Sequence, residues 1–218
     1  MLQGMTLMNM DFNLFLKNVP KIQNIPLPAQ ESHLKMAPME RIRMLKLWDY
    51  SHLNPKRAGV MALFYPKNNQ TYLVLIKRTP RGIHSSQIAL PGGQFEKSDI
   101  QLHTTAIRET FEEIGVEQKK IQLVRSLSEI YVPPSNFLVY PFIGYLDFEP
   151  TFIPQEEEVA DIIEIPLNDF LNLEVHTHNI KASYSEFPGV PSYIINNNIV
   201  WGATAMILSE LKDVLVKI

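Results

Sequence analysis

The segment from Asp99 to Gly115 limits the fold of this chain more than any other stretch of its sequence. Ile107, Phe111 and Ile114 recur at i, i+4 and i+7, the spacing that puts side chains on one face of an α-helix. Gly115 then stands where a left-handed residue commonly ends a helix. The segment therefore predicts a helix over 99–114 whose apolar stripe packs on a sheet.

Three carboxylates share another face of the same helix. Glu109, Glu112 and Glu113 stand at i, i+3 and i+4, opposite the apolar stripe, and Arg108 lies four residues before Glu112. A hard divalent cation would relieve the repulsion between them, because it prefers carboxylate oxygens and can bridge to phosphates. An isolated Arg-Glu-x-x-Glu-Glu run is more often a solvated helix face. The functional interpretation therefore depends on the surrounding elements.

A glycine pair and several strands surround this helix in the sequence. Residues 59–65 and 71–77 are strand-like runs joined by a short polar turn, a pattern typical of a hairpin. Gly92 and Gly93, just before the helix, let the backbone approach a ligand closely. Further strands are predicted at 121–132 and 137–146, a last hairpin at 193–201, a short helix near 167–171 and an amphipathic helix over 204–216. Turn, helix and carboxylates together make a cradle for a metal and a pyrophosphate.

Composition narrows the chemistry. The chain has no cysteine, which excludes disulfides, zinc–thiolate sites and cysteine nucleophiles, so any metal is held by oxygen or imidazole. The net charge is -3, and the basic and acidic residues are interspersed along the sequence, so no basic patch for nucleic-acid binding is indicated. No apolar run is long enough to span a membrane, and residues 1–19 lack the basic start of a signal peptide. We expect a cytoplasmic protein with no nucleic-acid or membrane partner.

The N-terminal part differs in character from the rest. Residues 1–50 mix short amphipathic stretches with prolines, and 39–48 has apolar residues at helical spacing, which predicts a surface helix packed on the domain. We expect a helical arm at 1–50 and a single larger domain at 51–218. An apolar arm of this kind can cover the interface of a homodimer.

Residues 93–116 resemble the Nudix box, a motif with a glycine, an acidic residue, the Arg-Glu-x-x-Glu-Glu core and a final glycine followed by an aliphatic residue. Here the first acidic position is Asp99, and eight residues separate it from Arg108, one more than in the general pattern. Both departures occur in the subfamily that resembles coenzyme A diphosphatases. The resemblance implies the Nudix fold, an α/β/α sandwich with a mixed β-sheet and the box helix on one face, and a Nudix hydrolase domain at 51–218.

A segment upstream of the box resembles a further motif of the coenzyme A-hydrolysing members. Residues 76–78 followed by 84–93 match it, with Ser86 in place of the usual glycine and Leu90 in place of the usual phenylalanine. Similar segments occur downstream at 132–142, 157–167 and 201–205. The resemblance thus covers residues 55–215 and leaves the arm outside it.

The resemblance also implies a divalent-metal site for Mg²⁺ or Mn²⁺. The implied ligands are Glu109, Glu112, Glu113, Glu158 and the backbone carbonyl of Gly92 or Gly93. Arg108 would orient the glutamates. Glu158, with Glu157 as second choice, is the downstream glutamate that serves many Nudix enzymes as a ligand or general base. The metal would neutralise the diphosphate and activate a water for in-line attack on phosphorus.

Candidate substrate-binding residues lie in the upstream segment. They are Arg78, His84, Gln87, Gly92 and Gly93. The guanidinium of Arg78 suits phosphate because its donors can bind two oxygens at once. His176 and His178 alternate along one predicted strand with no further ligands nearby in sequence, so we do not interpret them as a metal site.

Three functions fit these residues. The leading hypothesis is a hydrolase that splits the pyrophosphate of coenzyme A or its acyl thioesters into (acyl-)phosphopantetheine and adenosine 3',5'-bisphosphate. The alternative is a Nudix diphosphatase for ADP-ribose, a dinucleotide or another nucleoside diphosphate derivative, because Ser86 and Leu90 depart from the motif. A non-catalytic Nudix-fold binding or regulatory module is the third hypothesis, and the complete set of three glutamates argues against it.

Overall fold

The main sheet of the protein is mixed. The computed structural model describes residues 10–45, 53–82 and 84–218, and in them this sheet has eight strands. Their bounds are β1 Lys56–Lys67, β2 Gln70–Arg78, β3 Ile88–Ala89, β4 Gly92–Gln94, β5 Gln122–Ser126, β6 Ile130–Val132, β7 Phe137–Tyr145 and β8 Val159–Pro166. The order is β3, β2, β1, β7, β5, with β4 paired to β1, β6 to β7 and β8 to β2. β1 and β7 are parallel, whereas β1 and β2 form the predicted antiparallel hairpin.

Helices cover both faces of this sheet. Their bounds are α1 Phe12–Asn24, α2 Gln30–Lys35, α3 Met39–Leu45, α4 Leu102–Ile114, α5 Leu167–Leu171 and α6 Gly202–Leu215. Along β1, Met61 and Leu63 pack in the apolar cluster of α4, while Ala62 and Phe64 pack in the cluster of α1, α5 and α6. Successive strand residues face opposite sides of a sheet, so this alternation confirms the predicted layers. A second sheet of β9 His176–Lys181, β10 Glu186–Ile195 and β11 Asn198–Val200 contains the predicted last hairpin.

The helix α4 forms as predicted but begins later and lies rotated. It starts at Leu102, so Asp99 lies in the preceding loop, and it ends at Gly115 with φ 76°. Ile114 is fully buried, but Phe111 is 46% exposed, so the prediction that the whole apolar stripe faces the sheet is wrong. Glu113 is buried instead. The apolar spacing indicated a helix correctly, but it did not fix which side faces the sheet.

The N-terminal segment contributes to the core. Phe15 and Ile22 of α1 are fully buried, and the Phe15 ring lies 5.0 Å from that of Phe64 on β1. Arg125 Nη1 donates to the carbonyls of Ile22 and Ile25, which fixes the end of α1 on β5. The predicted helix over 39–48 is seen as α3, and residues 46–52 lie outside the described residues.

A buried carboxylate joins three parts of the chain. Glu210 of α6 accepts hydrogen bonds from the backbone of Ala29, from His33 and from the backbone and hydroxyl of Ser128. Because the Ser128 N–H binds Glu210 rather than a neighbouring strand, the strand predicted over 121–132 is divided into β5 and β6. None of the helices in the described residues is long and apolar enough to span a membrane.

Candidate active site

A cavity of about 870 Å³ opens where β4, the loop before β3, the arm and the start of α6 meet. A volume of this size suits a small-molecule ligand. The predicted site residues that line it are Arg78, His84, Gln87, Gly92, Gly93, Glu109 and Glu158. Arg108 and Glu113 do not line it but bond to residues that do, and Glu112 bonds to Arg108. The structure thus brings together residues that are far apart in sequence.

Glu113 is the most deeply placed of the three box glutamates. Its side chain is 2% exposed, and its two oxygens accept hydrogen bonds from the Gly92 N–H at 2.8 Å and from Arg78 Nη1 at 3.2 Å. Burial raises the pKa of Glu113 to about 7, and the charges of Glu109 and Glu158 add to the rise. The buried carboxyl therefore titrates near neutrality in the absence of a cation.

Glu109 points into the cavity against the second glycine. A Cβ added at Gly93 would lie only 2.4 Å from the carboxyl carbon of Glu109. Burial raises the pKa of Glu109, and the neighbouring Arg108 opposes that rise. Gly93 thus leaves room for a carboxylate beside the backbone, which explains the glycine in physical terms.

Arg108 connects the helix to the preceding loop. Its Nε and Nη2 donate to the two oxygens of Asp99 at 3.0 Å each, and its Nη1 donates to Glu109 at 2.9 Å and to Glu112 at 2.8 Å. The Arg108 hydrogen bonds hold the pKa of Asp99 down to about 2. Because the guanidinium binds Asp99 and both glutamates, Arg108 sets the direction of the Glu109 and Glu112 carboxylates.

The loop before β8 brings Glu158 to the cavity. The Gln155 N–H donates to the Glu113 carbonyl at 2.9 Å, so this loop docks on the end of α4. Glu158 Oε2 lies 3.9 Å from Arg78 Nη2, and its side chain is 53% exposed. Arg78 thus stands between Glu113 and Glu158, and it is a partner of the acidic residues as well as a candidate phosphate contact.

The donor set fits a hard divalent cation. In the three described ranges of the chain, no three histidine, aspartate or glutamate side chains are already grouped as a metal site. Arg108 pairs with Glu109 and Glu112, and Arg78 with Glu113, so each box carboxylate has a cationic partner. Oxygen ligands whose pKa values are raised by burial and mutual repulsion gain most from a bound cation.

The upstream segment forms a hydrogen-bonded unit beside the carboxylates. His84 Nδ1 donates to Gln87 Oε1 at 3.1 Å, and both residues line the cavity. Burial lowers the pKa of His84, so the ring is neutral at pH 7. His178, in contrast, binds Ser192 at 2.6 Å on the second sheet, at a distance from this unit along the chain.

Sequence reasoning missed several lining residues. They are Pro38, Glu40 and Arg41 of the arm, Tyr184 and Phe187 near β10, and Trp201 before α6. These residues come from separate segments. Trp201 lies in the 201–205 segment noted in the sequence, but no spacing indicates that it or the others reach the cavity. Only the packing of the arm and of the second sheet against β3 and β6 brings them to the cavity.

The comparisons with known proteins agree with this geometry. A family model described as the NUDIX domain matches residues 55–186. The chain belongs to the Nudix family. Its relatives include the uncharacterized Nudix hydrolase NudL of Photorhabdus laumondii, 28% identical over 158 residues that make up 72% of this chain and 84% of that protein. Nudix hydrolase 15, mitochondrial, of Arabidopsis thaliana is 33% identical over 179 residues, 76% of this chain and 61% of the plant protein.

Solved Nudix structures share the fold. RenU, a Nudix hydrolase from M. smegmatis, superposes with a TM-score of 0.52 at 14% identity, over 75% of this chain and 88% of that one. A MutT/nudix family protein from Enterococcus faecalis gives 0.52 at 19% identity, over 89% and 76%. The likeness confirms the predicted Nudix fold. The chain is thus a Nudix hydrolase, an enzyme that acts on nucleoside diphosphate derivatives, and Nudix hydrolases generally use divalent metal ions.

Gly93→Ala should impair this Nudix hydrolase without unfolding it. The added Cβ would overlap the end of the flexible Glu109 side chain rather than backbone, so the carboxylate moves and the fold stays. We expect kcat/KM to fall about a hundredfold, the effect that a displacement of about 1 Å at a reacting site can have. Steady-state kinetics and urea unfolding measure the two effects. Full activity in the variant would show that the Glu109 position is unimportant.

The stability of the metal-free Nudix hydrolase should depend on pH through Glu113. Its folded-state pKa lies above the ordinary value of 4.5, so its contribution is fully present below pH 4.5 and is lost as the pH rises through about 7. At 1.36 kcal/mol per pKa unit, this shift corresponds to a loss of about 3 kcal/mol in the free energy of unfolding.

Urea unfolding in EDTA at several pH values tests this expectation. Glu113→Gln should lose less stability than the wild type between pH 4.5 and 8, because glutamine does not ionise. Glu117→Gln, a change at an exposed residue just beyond α4, should follow the wild type. Parallel curves for the wild type and Glu113→Gln would contradict the assignment.

Proposed function

We propose that this Nudix hydrolase cleaves the diphosphate of coenzyme A or of acyl-coenzyme A. The products are (acyl-)phosphopantetheine and adenosine 3',5'-bisphosphate. The observation that carries the proposal is the conformation of the upstream segment, in which Ser86 and Leu90 depart from the coenzyme A motif. Ser86 has φ 58°, in the left-handed region that favours glycine, and Leu90 is 3% exposed. Ser86 keeps the backbone conformation suited to the usual glycine, and Leu90 keeps an apolar side chain buried as the usual phenylalanine would be. Both observations support the coenzyme A assignment.

The proposed metal site uses the carboxylates of the box helix. Glu109, Glu112, Glu113 and Glu158, with the Gly92 carbonyl, would hold Mg²⁺ or Mn²⁺. When bound, the metal supplies charge neutralisation of the diphosphate and a more acidic water. Arg108 would keep Glu109 and Glu112 directed at the site, as its hydrogen bonds already do.

Side chains of the protein would then accept the proton and orient the diphosphate. Glu158 would accept the proton of the attacking water, whose oxygen forms a bond to one phosphorus while the bond from that phosphorus to the bridging oxygen breaks. The bridging oxygen leaves on the other phosphate. Arg78, which reaches the cavity between two glutamates, would bind a phosphate oxygen and hold the diphosphate in line.

Product analysis tests the substrate. Purified protein with Mg²⁺ or Mn²⁺ is offered coenzyme A, ADP-ribose and a dinucleotide separately, and the products are separated by chromatography. We expect adenosine 3',5'-bisphosphate from coenzyme A, and loss of that product in Glu112→Gln. Turnover of ADP-ribose or the dinucleotide alone would keep the Nudix chemistry and overturn the coenzyme A assignment.

Assembly and location are further proposals. In residues 10–45 the apolar side of α1 packs on the chain's own core, so a homodimer would use other surfaces of the arm. Sedimentation velocity distinguishes monomer from dimer. The cytoplasmic location expected from the sequence is tested by fractionation of cells that express the tagged protein.

A further inference from the structure

Three aromatic side chains form one end of the cavity. They are Tyr184 in the turn before β10, Phe187 on β10 and Trp201 before α6, and we name them the aromatic shelf. Ring centroids are 5.7 Å apart both between Tyr184 and Phe187 and between Phe187 and Trp201. All three line the cavity. The shelf is therefore continuous and open to a ligand.

The shelf is not part of the buried core. Tyr184 is 38% exposed, and Phe187 and Trp201 are half-buried, whereas Tyr193 on the same sheet is 3% exposed. Large aromatic rings that keep exposed faces in a cavity offer stacking surface that core packing has not used. A flat, aromatic ligand group fits such a surface.

Polar groups border the shelf on one side. Gln87 lines the same cavity as the shelf, and His84 Nδ1 donates to its amide oxygen at 3.1 Å. Burial raises the pKa of Tyr184 and the Gln87 amide opposes that rise, so the amide lies near the rings. An amide can donate to and accept from the edge of a purine. An acyl chain would need no such partner, so the polar border favours a base.

The shelf also lies within reach of the diphosphate site. The Thr204 hydroxyl at the start of α6 donates to the Ile88 carbonyl at 2.9 Å, which holds the Trp201 segment on β3. Ile88 precedes Gly92 by four residues, so their backbones are at most about 14 Å apart. Ile88 and Gly92 line the same cavity as the shelf, so a base on the shelf and a diphosphate at the glycines would share one cavity.

We propose that the aromatic shelf is the subsite for the adenine ring of the substrate, with Trp201 stacked on the ring and Gln87 at its edge. The inference rests on the proposed function only in requiring an adenine nucleotide linked through a diphosphate. It applies equally to coenzyme A and to ADP-ribose. It assigns the opposite part of the cavity to the group on the other side of the diphosphate.

Tryptophan fluorescence tests the subsite directly. The sequence has two tryptophans, so Trp48→Phe leaves Trp201 as the one reporter. Adenosine 3',5'-bisphosphate and phosphopantetheine are titrated separately into this variant in EDTA. We expect the first to quench Trp201 and the second to leave it unchanged. Calorimetry should show adenosine 3',5'-bisphosphate binding about tenfold more weakly in Trp201→Leu, with partial recovery in Trp201→Phe, as stacking energies predict.

Phe137→Leu provides the matched control. Phe137 is a half-buried aromatic residue on the β7 side of the cavity, across β1 and β2 from β3, so its change should leave the Kd of adenosine 3',5'-bisphosphate as in the wild type. Quenching by phosphopantetheine alone would overturn the proposal, and so would the absence of quenching by either probe in a preparation that hydrolyses coenzyme A. Quenching by adenosine 3',5'-bisphosphate in a protein that turns over only ADP-ribose would support the shelf and reject the coenzyme A assignment.

Discussion

Glu109→Gln should lower kcat/KM for the diphosphate substrate about a thousandfold, because removing about 4 kcal/mol of transition-state stabilisation has this effect. Glu109 is the one box glutamate that lines the cavity among the described residues. Glutamine keeps the size of the side chain and removes its charge. The loss should appear in kcat, because Glu109 would hold the metal that neutralises the diphosphate as it reacts.

Glu117→Gln is the matched control for this change. It replaces an exposed glutamate that pairs with Lys119 just beyond α4, and it should keep wild-type kinetics. Circular dichroism and urea unfolding of both variants check that the fold is retained. Wild-type kcat/KM in a folded Glu109→Gln protein would contradict a role for Glu109 in metal binding or catalysis.

Gly92→Ala should destabilise the fold far more than Gly93→Ala, although the two glycines are adjacent. Its Cβ would lie 2.4 Å from the Gly59 carbonyl oxygen and 2.5 Å from Val60 Cα, both backbone atoms of β1. Gly92 also has φ 152°, a conformation that L side chains rarely adopt. Backbone overlap and strain together should cost about 3–5 kcal/mol, measured as the free energy of unfolding in urea.

Gly189→Ala separates strain from overlap in this experiment. Gly189 also has positive φ, at 64°, but the nearest atom to its Cβ is 3.9 Å away. We expect a loss of about 1 kcal/mol there, the cost of the conformation alone. If Gly92→Ala lost no more than Gly189→Ala, the close approach of β4 to β1 would not be a source of instability.

Local sequence pattern predicted the elements of this Nudix domain well. The hairpin, the box helix and its glycine end depend on neighbouring residues, so spacing and turn chemistry indicate them. The orientation of α4 depends on what it packs against. Gly59 permits a close approach, because a Cβ there would lie 2.4 Å from the Leu102 carbonyl. In this packing Glu113 is buried and Phe111 is exposed, and the spacing of the apolar residues in the helix does not predict it.

Only the local part of the candidate site could be predicted from the sequence, because the rest depends on packing between segments. The motif names Arg108 and its glutamates, but the pairing of Arg108 with Asp99 requires the loop geometry before α4. The aromatic shelf is further from sequence reasoning, because Trp201 reaches the cavity through a bond between α6 and β3. Residues of a catalytic motif are local, whereas residues that select the substrate come from packing between segments.

The hydrogen bonds of Glu210 join segments that lie outside the family match at both of its ends. The family match ends at residue 186 and starts at residue 55, yet Glu210 lies beyond one end and its partners Ala29 and His33 lie before the other. A fragment trimmed to the match would lose α6 and would leave the sheet without the cover of Phe15. We therefore expect an expressed fragment to need both the N-terminal segment and α6, which the hydrogen bonds of this buried carboxylate join.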